Sequence, residues 1–413
     1  MKPLRLSAIA LVLLAVGCSK DPVGPPPRIT ALPRALTTQE QQLIQADNRF
    51  AIKLLKQASA DTRDTLENLF VSPLSVAMAL AMTYNGAAGT TEEAMRSTLE
   101  LDGMSVAEVN QSYRSLIALL RGLDPHVQFQ IANSIWYRQD YAVEQPFLTA
   151  NRDYYDAQVT ALDFGSPTAP TTINNWVKEQ THGVIDKIVD AIPDWMRLYL
   201  IDAIYFKGDW TEQFDPQLTK PRSFRLSDGS TTNVPMMTHG QVAQLRVTHR
   251  PYATIVDLPY GGAAFSMTIV VPQDTSSADH LVDALTPEQW DAWTASLEPT
   301  EREIFIPKFK LTNDLNLIPS LRGLGMGIAF DDTRADFTRI HVPSELSITE
   351  VRHKTYVDVN EEGTVAAAVT SVGLGVTSAP SVIVVDRPFL FALRENLSGT
   401  IVFMGVIRHP TIQ

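Results

Sequence analysis

Residues 361–380 read Glu361-Glu362-Gly363-Thr364-Val365-Ala366-Ala367-Ala368-Val369-Thr370-Ser371-Val372-Gly373-Leu374-Gly375-Val376-Thr377-Ser378-Ala379-Pro380. These are small and β-tolerant residues with no helical stripe. A stretch of about 20 residues is too long for an ordinary connection inside a compact domain. It is also too apolar for an ordinary exposed loop, because no charged residue occurs from Val365 to Val385. The residues alone leave two readings. The segment is a plain core strand, or it is an exposed strand waiting for a partner sheet. Gly363 gives its entry the backbone freedom of a hinge.

The surrounding sequence has the pattern of a mixed fold. Strands are expected at Ala203–Phe206, Phe265–Val271, Glu303–Leu311, Val382–Val385, Phe389–Leu393 and Ile401–Ile407. Val127, Phe129, Ile131, Ile135 and Tyr137 alternate with mostly polar residues, which predicts a strand with one buried face. Earlier in the chain the period is helical. Thr37 and Glu40 fit a capping box, followed by Leu43, Ala46, Phe50 and Leu54. A second helix is expected after Ser72-Pro73, from Val76 to Tyr84. Helices dominate the first half and strands the second, which favours α+β over alternating βαβ units. With no internal repeat and no later linker, residues 37–413 read as one large domain.

The first residues read as an address. Lys2 and Arg5 precede an apolar run of 11 residues, Leu6 to Val16. A membrane-spanning helix needs about 20, so residues 1–17 read as a signal peptide. Ala15-Val16-Gly17-Cys18 resembles the lipobox of bacterial lipoproteins, with Ala15 where Leu is commoner. That resemblance implies cleavage before Cys18 and lipidation of its thiol. The protein would then be exported and lipid-anchored at the bacterial cell envelope. Ser19, standing where Asp would retain it, favours the outer membrane or cell surface. An ordinary secretory signal with a chance cysteine is the alternative. Residues 18–36 read as a Pro-rich tether, because Pro25-Pro26-Pro27 favours an extended polyproline helix.

Composition excludes several classes of function. Hydrophobic residues are 45% and charged residues 19%, which is globular rather than disordered. The net charge of −12 leaves no excess of cations to neutralise nucleic-acid phosphates. A single cysteine excludes an internal disulfide and any paired-cysteine zinc site. The chain lacks Gly-x-Ser-x-Gly, His-Glu-x-x-His, Ser-x-x-Lys and Gly-x-x-x-x-Gly-Lys motifs. Its eight histidines are scattered, and none pairs at the spacing of a helical metal site. The expectation is therefore no cofactor, no metal and no enzyme, although remote residues could still assemble a triad.

Several further segments resemble the serpin family, in the family's own order and over nearly all of residues 37–413. They are Asn68-x-Phe70-x-Ser72-Pro73-x-Ser75, Asp202-Ala203-Ile204-Tyr205-Phe206-Lys207-Gly208-x-Trp210, Val234-Pro235-Met236-Met237 and Pro307-Lys308-Phe309-Lys310-Leu311. Arg387-Pro388-Phe389-Leu390-Phe391 and Gly399 to Pro410 complete the set. The resemblance implies three β-sheets with about nine helices, an α+β arrangement with an exposed reactive-centre loop. It also implies a monomeric suicide inhibitor that traps a serine protease as a covalent complex. In that scheme the loop is cut and inserts into the large sheet.

Under that resemblance Glu361, Glu362, Gly363, Thr364, Ala366, Ala367 and Ala368 form the hinge. Val365 departs from the family's Glu, and Val369 from its Ala. Counting from Gly363 and back from Pro388 both give Thr377-Ser378 as the reactive bond. A Thr bait suits the shallow pockets of elastase-like or subtilisin-like proteases, and cleavage after Leu374 is the chymotrypsin-like alternative. Ser72, Ser75, Asp202, His353 and Trp210 map to the region where the sheet opens. Asp202 stands where serpins usually have Asn. It pairs with His353 either as a neutral hydrogen bond or as an ion pair that closes the sheet. A non-inhibitory serpin acting as a surface binding protein is the second class of function. A lipid-anchored hydrolase is the third.

Overall fold

The computed structural model describes residues 26–63, 67–343, 345–364 and 382–410. For Thr364 only the backbone is described. Residues 1–17, Cys18, Ala366, Ala367, Ala368, Thr377 and Ser378 lie outside these ranges.

The chain opens on α1 (Thr38–Thr62), α2 (Pro73–Tyr84), α3 (Gly89–Thr98) and α4 (Val106–Leu120), with β1 (Leu69–Val71) after the first helix. Then follow β2 (Val127–Arg138), α5 (Gln145–Tyr155), β3 (Gln158–Leu162), α6 (Ala169–Gln180) and β4 (Leu198–Asp209). The central part is β5 (Lys220–Arg225), β6 (Thr231–Met237), β7 (Ala243–Arg250), β8 (Ala253–Tyr260) and β9 (Phe265–Pro272). Next come α7 (Ala278–Ala284), α8 (Pro287–Ala295), β10 (Glu298–Pro307), β11 (Phe309–Asn316) and α9 (Ile318–Leu321). The chain ends on β12 (Arg352–Val359), β13 (Gly363–Thr364), β14 (Val382–Val384), β15 (Phe389–Glu395) and β16 (Ile401–Ile407).

Nine α-helices and three hydrogen-bonded sheets thus make up the described residues. The largest sheet runs β1-β16-β15-β9-β8-β7-β10-β6-β5, with β14 on β10. The second is the pair β11-β12, and the third is β13-β4-β2-β3.

Local chemistry fixes the helix starts. Thr37 and Glu40 form a reciprocal capping box, and Arg34 grips both oxygens of Glu40. The hydrogen bond from Arg34 holds the Glu40 carboxyl at about 2. Ser72 caps α2, and Pro73 takes the first helical turn, where a missing N–H is harmless. The Pro-rich stretch is partly bound to the body. Ile29 N–H donates to Gly262 O at 2.7 Å, and Ile29 and Leu36 pack on the main core.

Two strand expectations change. β2 alternates only to Ile131, and from Ala132 to Trp136 it is buried throughout. The reason is α6, whose Ile173, Trp176 and Val177 cover Ala132 and Trp136. The single strand expected at Glu303–Leu311 is two strands, β10 and β11, separated at Lys308. There the chain leaves one sheet for another, and Lys308 N–H bonds Pro235 O at 2.9 Å.

Candidate functional site

The strand β4 is paired with β2 along its length, from Leu198–Tyr137 to Gly208–Val127. On its other side it is paired only at its end, where Gly363 opposes Asp209 and Thr364 opposes Gly208. β12 is paired with β11 alone. Among the described residues no ladder joins β4 to β12. Among the described residues, two strand edges therefore face a gap that no strand fills. In its lower part is a cavity of about 460 Å³, between Leu198–Asp202 and residues 345–353, floored by the Ser75–Thr83 part of α2.

β13 occupies the head of the gap and is held by backbone bonds. Trp210 N–H donates to Glu362 O at 2.9 Å, and Phe214 N–H to Glu361 O at 2.8 Å. Trp210 Nε1 donates to Asn360 O at 2.9 Å, and the indole stacks on Tyr260 at 4.3 Å. Glu361 is buried and receives Lys308 Nζ at 2.7 Å. Burial pushes its carboxyl up, but the Lys308 hydrogen bond and its own backbone outweigh this and leave it below its ordinary value. Gly363 has φ +149°. A Cβ there would lie 2.5 Å from Asp209 Cα and 2.9 Å from Trp210 N, and closer still to Gly208 O. Only glycine lets the turn approach β4 so closely.

Lower in the gap, Ser72, Ser75, Asp202 and His353 come together. Ser72 N–H donates to His353 Nε2 at 2.9 Å, so that nitrogen accepts and the imidazole is neutral. Ser72 Oγ donates to Val402 O at 2.9 Å and accepts Ser75 N–H at 3.3 Å. The Ser75 hydroxyl donates to Asp202 Oδ1, while Asp202 Oδ2 is buried with no partner. Burial pushes the Asp202 carboxyl up to about 8, with the Ser75 bond acting weakly against it. Burial likewise pulls His353 down to about 4.

These facts correct the ion-pair expectation. Neither an ion pair nor a hydrogen bond joins Asp202 to His353 among the described residues, so both forms of the expected pair are absent there, and near neutral pH burial favours the uncharged form of both. Two charges stripped of water would need excellent mutual geometry, and here each group bonds a serine instead. Trp210 is not part of this cluster. It lies past the end of β4, beside the hinge.

A family model described as "Serpin (serine protease inhibitor)" matches residues 45–410. The chain belongs to the serpin family. It is 33% identical over 383 residues to the leukocyte elastase inhibitor of Sus scrofa, covering 90% of this chain and 100% of that protein. The native structure of the thermophilic serpin Tengpin superposes with a TM-score of 0.81 at 29% identity, covering 92% of this chain and 96% of that one. The complex of thyroxine-binding globulin with thyroxine gives a TM-score of 0.80 at 26% identity, covering 89% and 99%.

Within this serpin, the expected hinge residues Glu361, Glu362 and Gly363 lie at the head of the gap. Three further residues contribute there, none of them expected at the hinge from sequence. Asn360 closes the hinge turn, its N–H donating to Gly363 O at 3.0 Å. Tyr260 supports Trp210, and Lys308 holds Glu361. Lys308 falls within the motif Pro307–Leu311, where nothing local distinguishes it from Lys310. Nothing local marks Tyr260, which arrives from the far end of β8.

Proposed function

We propose that this serpin is a suicide inhibitor of elastase-like or subtilisin-like serine proteases. The observation that carries the reading is the pairing of Gly363 and Thr364 with β4 at the head of a gap that no other described strand fills. Continuing that register one for one would pair Ala366 with Phe206, Ala368 with Ile204, Thr370 with Asp202, Val372 with Leu200 and Leu374 with Leu198. Paired residues share a face. Ile204 and Phe206 belong to the main core, so their partners would be buried, and all are small or apolar. Thr370, opposite Asp202, would be the one that brings a hydroxyl.

The chemistry runs as an interrupted peptide hydrolysis. The protease serine Oγ attacks the Thr377 carbonyl, and the Thr377–Ser378 amide breaks. Ser378 leaves as an amine carrying the proton the protease histidine took from the serine. Thr377 is left as an ester on the protease. The freed loop then adds a strand between β4 and β12. About ten further ladder residues, at roughly 1 kcal/mol net per hydrogen bond, give a driving force on the order of 10 kcal/mol. An inserted strand of about 14 residues spans 45–50 Å, enough to carry the protease away before water reaches the ester.

We further propose export, lipidation at Cys18, and a monomer held at the envelope by that anchor alone. The likeness to thyroxine-binding globulin favours a second reading, a non-inhibitory surface binding protein. A complex with elastase that survives a denaturing gel supports inhibition. Its absence, with the loop cut, supports the second reading.

A further inference from the structure

Four large hydrophobic residues are exposed among the described residues: Trp195, Val342, Val382 and Val384. Two of them share β14, a strand of three residues. Val382 is 44% exposed and Val384 38%, while Ile383 between them is buried. β14 lies parallel to β10, with Ile383 opposite the buried Ile304 and Val384 opposite the half-buried Phe305. Arg222 covers the Phe305 ring, its guanidinium carbon 3.8 Å from the centroid. Arg222 is exposed and has no carboxylate partner among the described residues. Neighbouring Arg225, by contrast, is paired with Asp274 at 3.2 Å. The strip is thus two valines and one aromatic edge, with the exposed Arg222 over that edge and, opposite Val382, the half-buried Glu303, which accepts from Thr238 Oγ1 at 3.3 Å. Solvent-facing β-branched residues on an edge strand are a liability for a free protein and need a reason.

We propose that Val382, Val384, Phe305 and Arg222 form a docking surface for the target serine protease, contacting the flank of its cleft that receives the residues after the cut. The partner surface it fits is an apolar side chain beside a carboxylate. The proposal rests on the reactive bond being Thr377–Ser378. Val382 is then four residues beyond Ser378, which limits their separation to about 14 Å. A specific interface covers about 800 Å² of each partner, a patch roughly 30 Å across. A protease seated on the bond therefore reaches the strip. Arg222 already lies over Phe305.

The test separates encounter from trapping. Equilibrium binding to pancreatic elastase with its nucleophilic serine replaced by alanine reads the encounter, and covalent complex with active elastase reads the inhibitor mechanism. Val382→Ser with Val384→Ser should raise the encounter Kd about tenfold, within the range that interface truncations span. Thermal stability should fall only modestly, because both side chains are part-exposed, and the double variant should remain folded at the assay temperature. Arg222→Glu should also raise the Kd, and Arg222→Lys should restore most of the binding. Equal constants for wild type and variants overturn the docking surface even if elastase is trapped. Raised constants without trapping sustain it and overturn the inhibitor reading alone. No binding of the wild-type chain overturns it, as does a change in sedimentation of the free protein, which assigns the strip to a second copy.

Discussion

A carboxyl group and an imidazole share the gap between β4 and β12, and burial pushes both toward their neutral forms. Their titrations act on stability with opposite signs. Asp202 ordinarily ionises near 3.8 and here near 8, so between those values the folded chain holds the extra proton and stability falls as pH rises. His353 moves from 6.5 to about 4, so its contribution is complete above 6.5 and is lost as pH falls toward 4. Above pH 6.5 Asp202 acts without that opposition, and Asp47, raised by burial to about 7, adds a slope that ends sooner. Thermal unfolding should therefore lose on the order of 2 kcal/mol between pH 6.5 and 8. Asp202→Asn, which can still accept from Ser75, should flatten that fall. Parallel curves for the two proteins would remove Asp202 as its cause. At the head of the gap, Gly363→Ala would drive a methyl into the backbone of Gly208 and Asp209. Thr364→Arg would bring a cation to the entry, and burying it unpaired costs several kcal/mol. For both variants the expected outcome is normal cleavage by elastase with little covalent complex. Unchanged trapping in either would put the hinge elsewhere.

Elements were legible where a local signal sets their ends. α1 starts at its capping box, α2 at Ser72-Pro73, and β16 matches its apolar run residue for residue. Other elements depend on partners. β4 reads as four residues in the sequence but extends over Leu198–Asp209, because Leu198 to Ile201 give no alternation and its two faces serve different clusters. β5 is exposed except at Phe224 and exists through its ladder with β6. The gathering of Ser72, Ser75, Asp202 and His353 was legible from family motifs, whereas the choice between charged and neutral forms of Asp202 and His353 was not. Residue identity does not report desolvation. The loop carries its own prediction. Thr377→Arg should redirect trapping toward trypsin-like proteases, whose pocket carboxylate pairs with a cation. Covalent complex with trypsin on a denaturing gel is the check. Trypsin cleavage without trapping, or undiminished elastase trapping, would move the reactive bond.

At the scale of the molecule, the described parts that the inhibitor reading needs meet in one place. A gap lies between β4 and β12, a two-residue strand is paired at its head, and the uncharged segment that begins there can continue the same register. The Lys308–Glu361 pair and the Trp210–Tyr260 stack hold the hinge turn, while the neutral Asp202 oxygen waits lower down without a partner. Insertion would lengthen the ladder and supply that oxygen with a hydroxyl from Thr370. Under the proposed mechanism, cutting the loop transfers its N-terminal part onto the protease and into the sheet. Intact-mass analysis after mixing the protein with active elastase tests it most directly. The expected products are an adduct of elastase with the chain ending at Thr377, and a separate 36-residue fragment from Ser378 to Gln413. Cleaved inhibitor beside free, fully active elastase would contradict it.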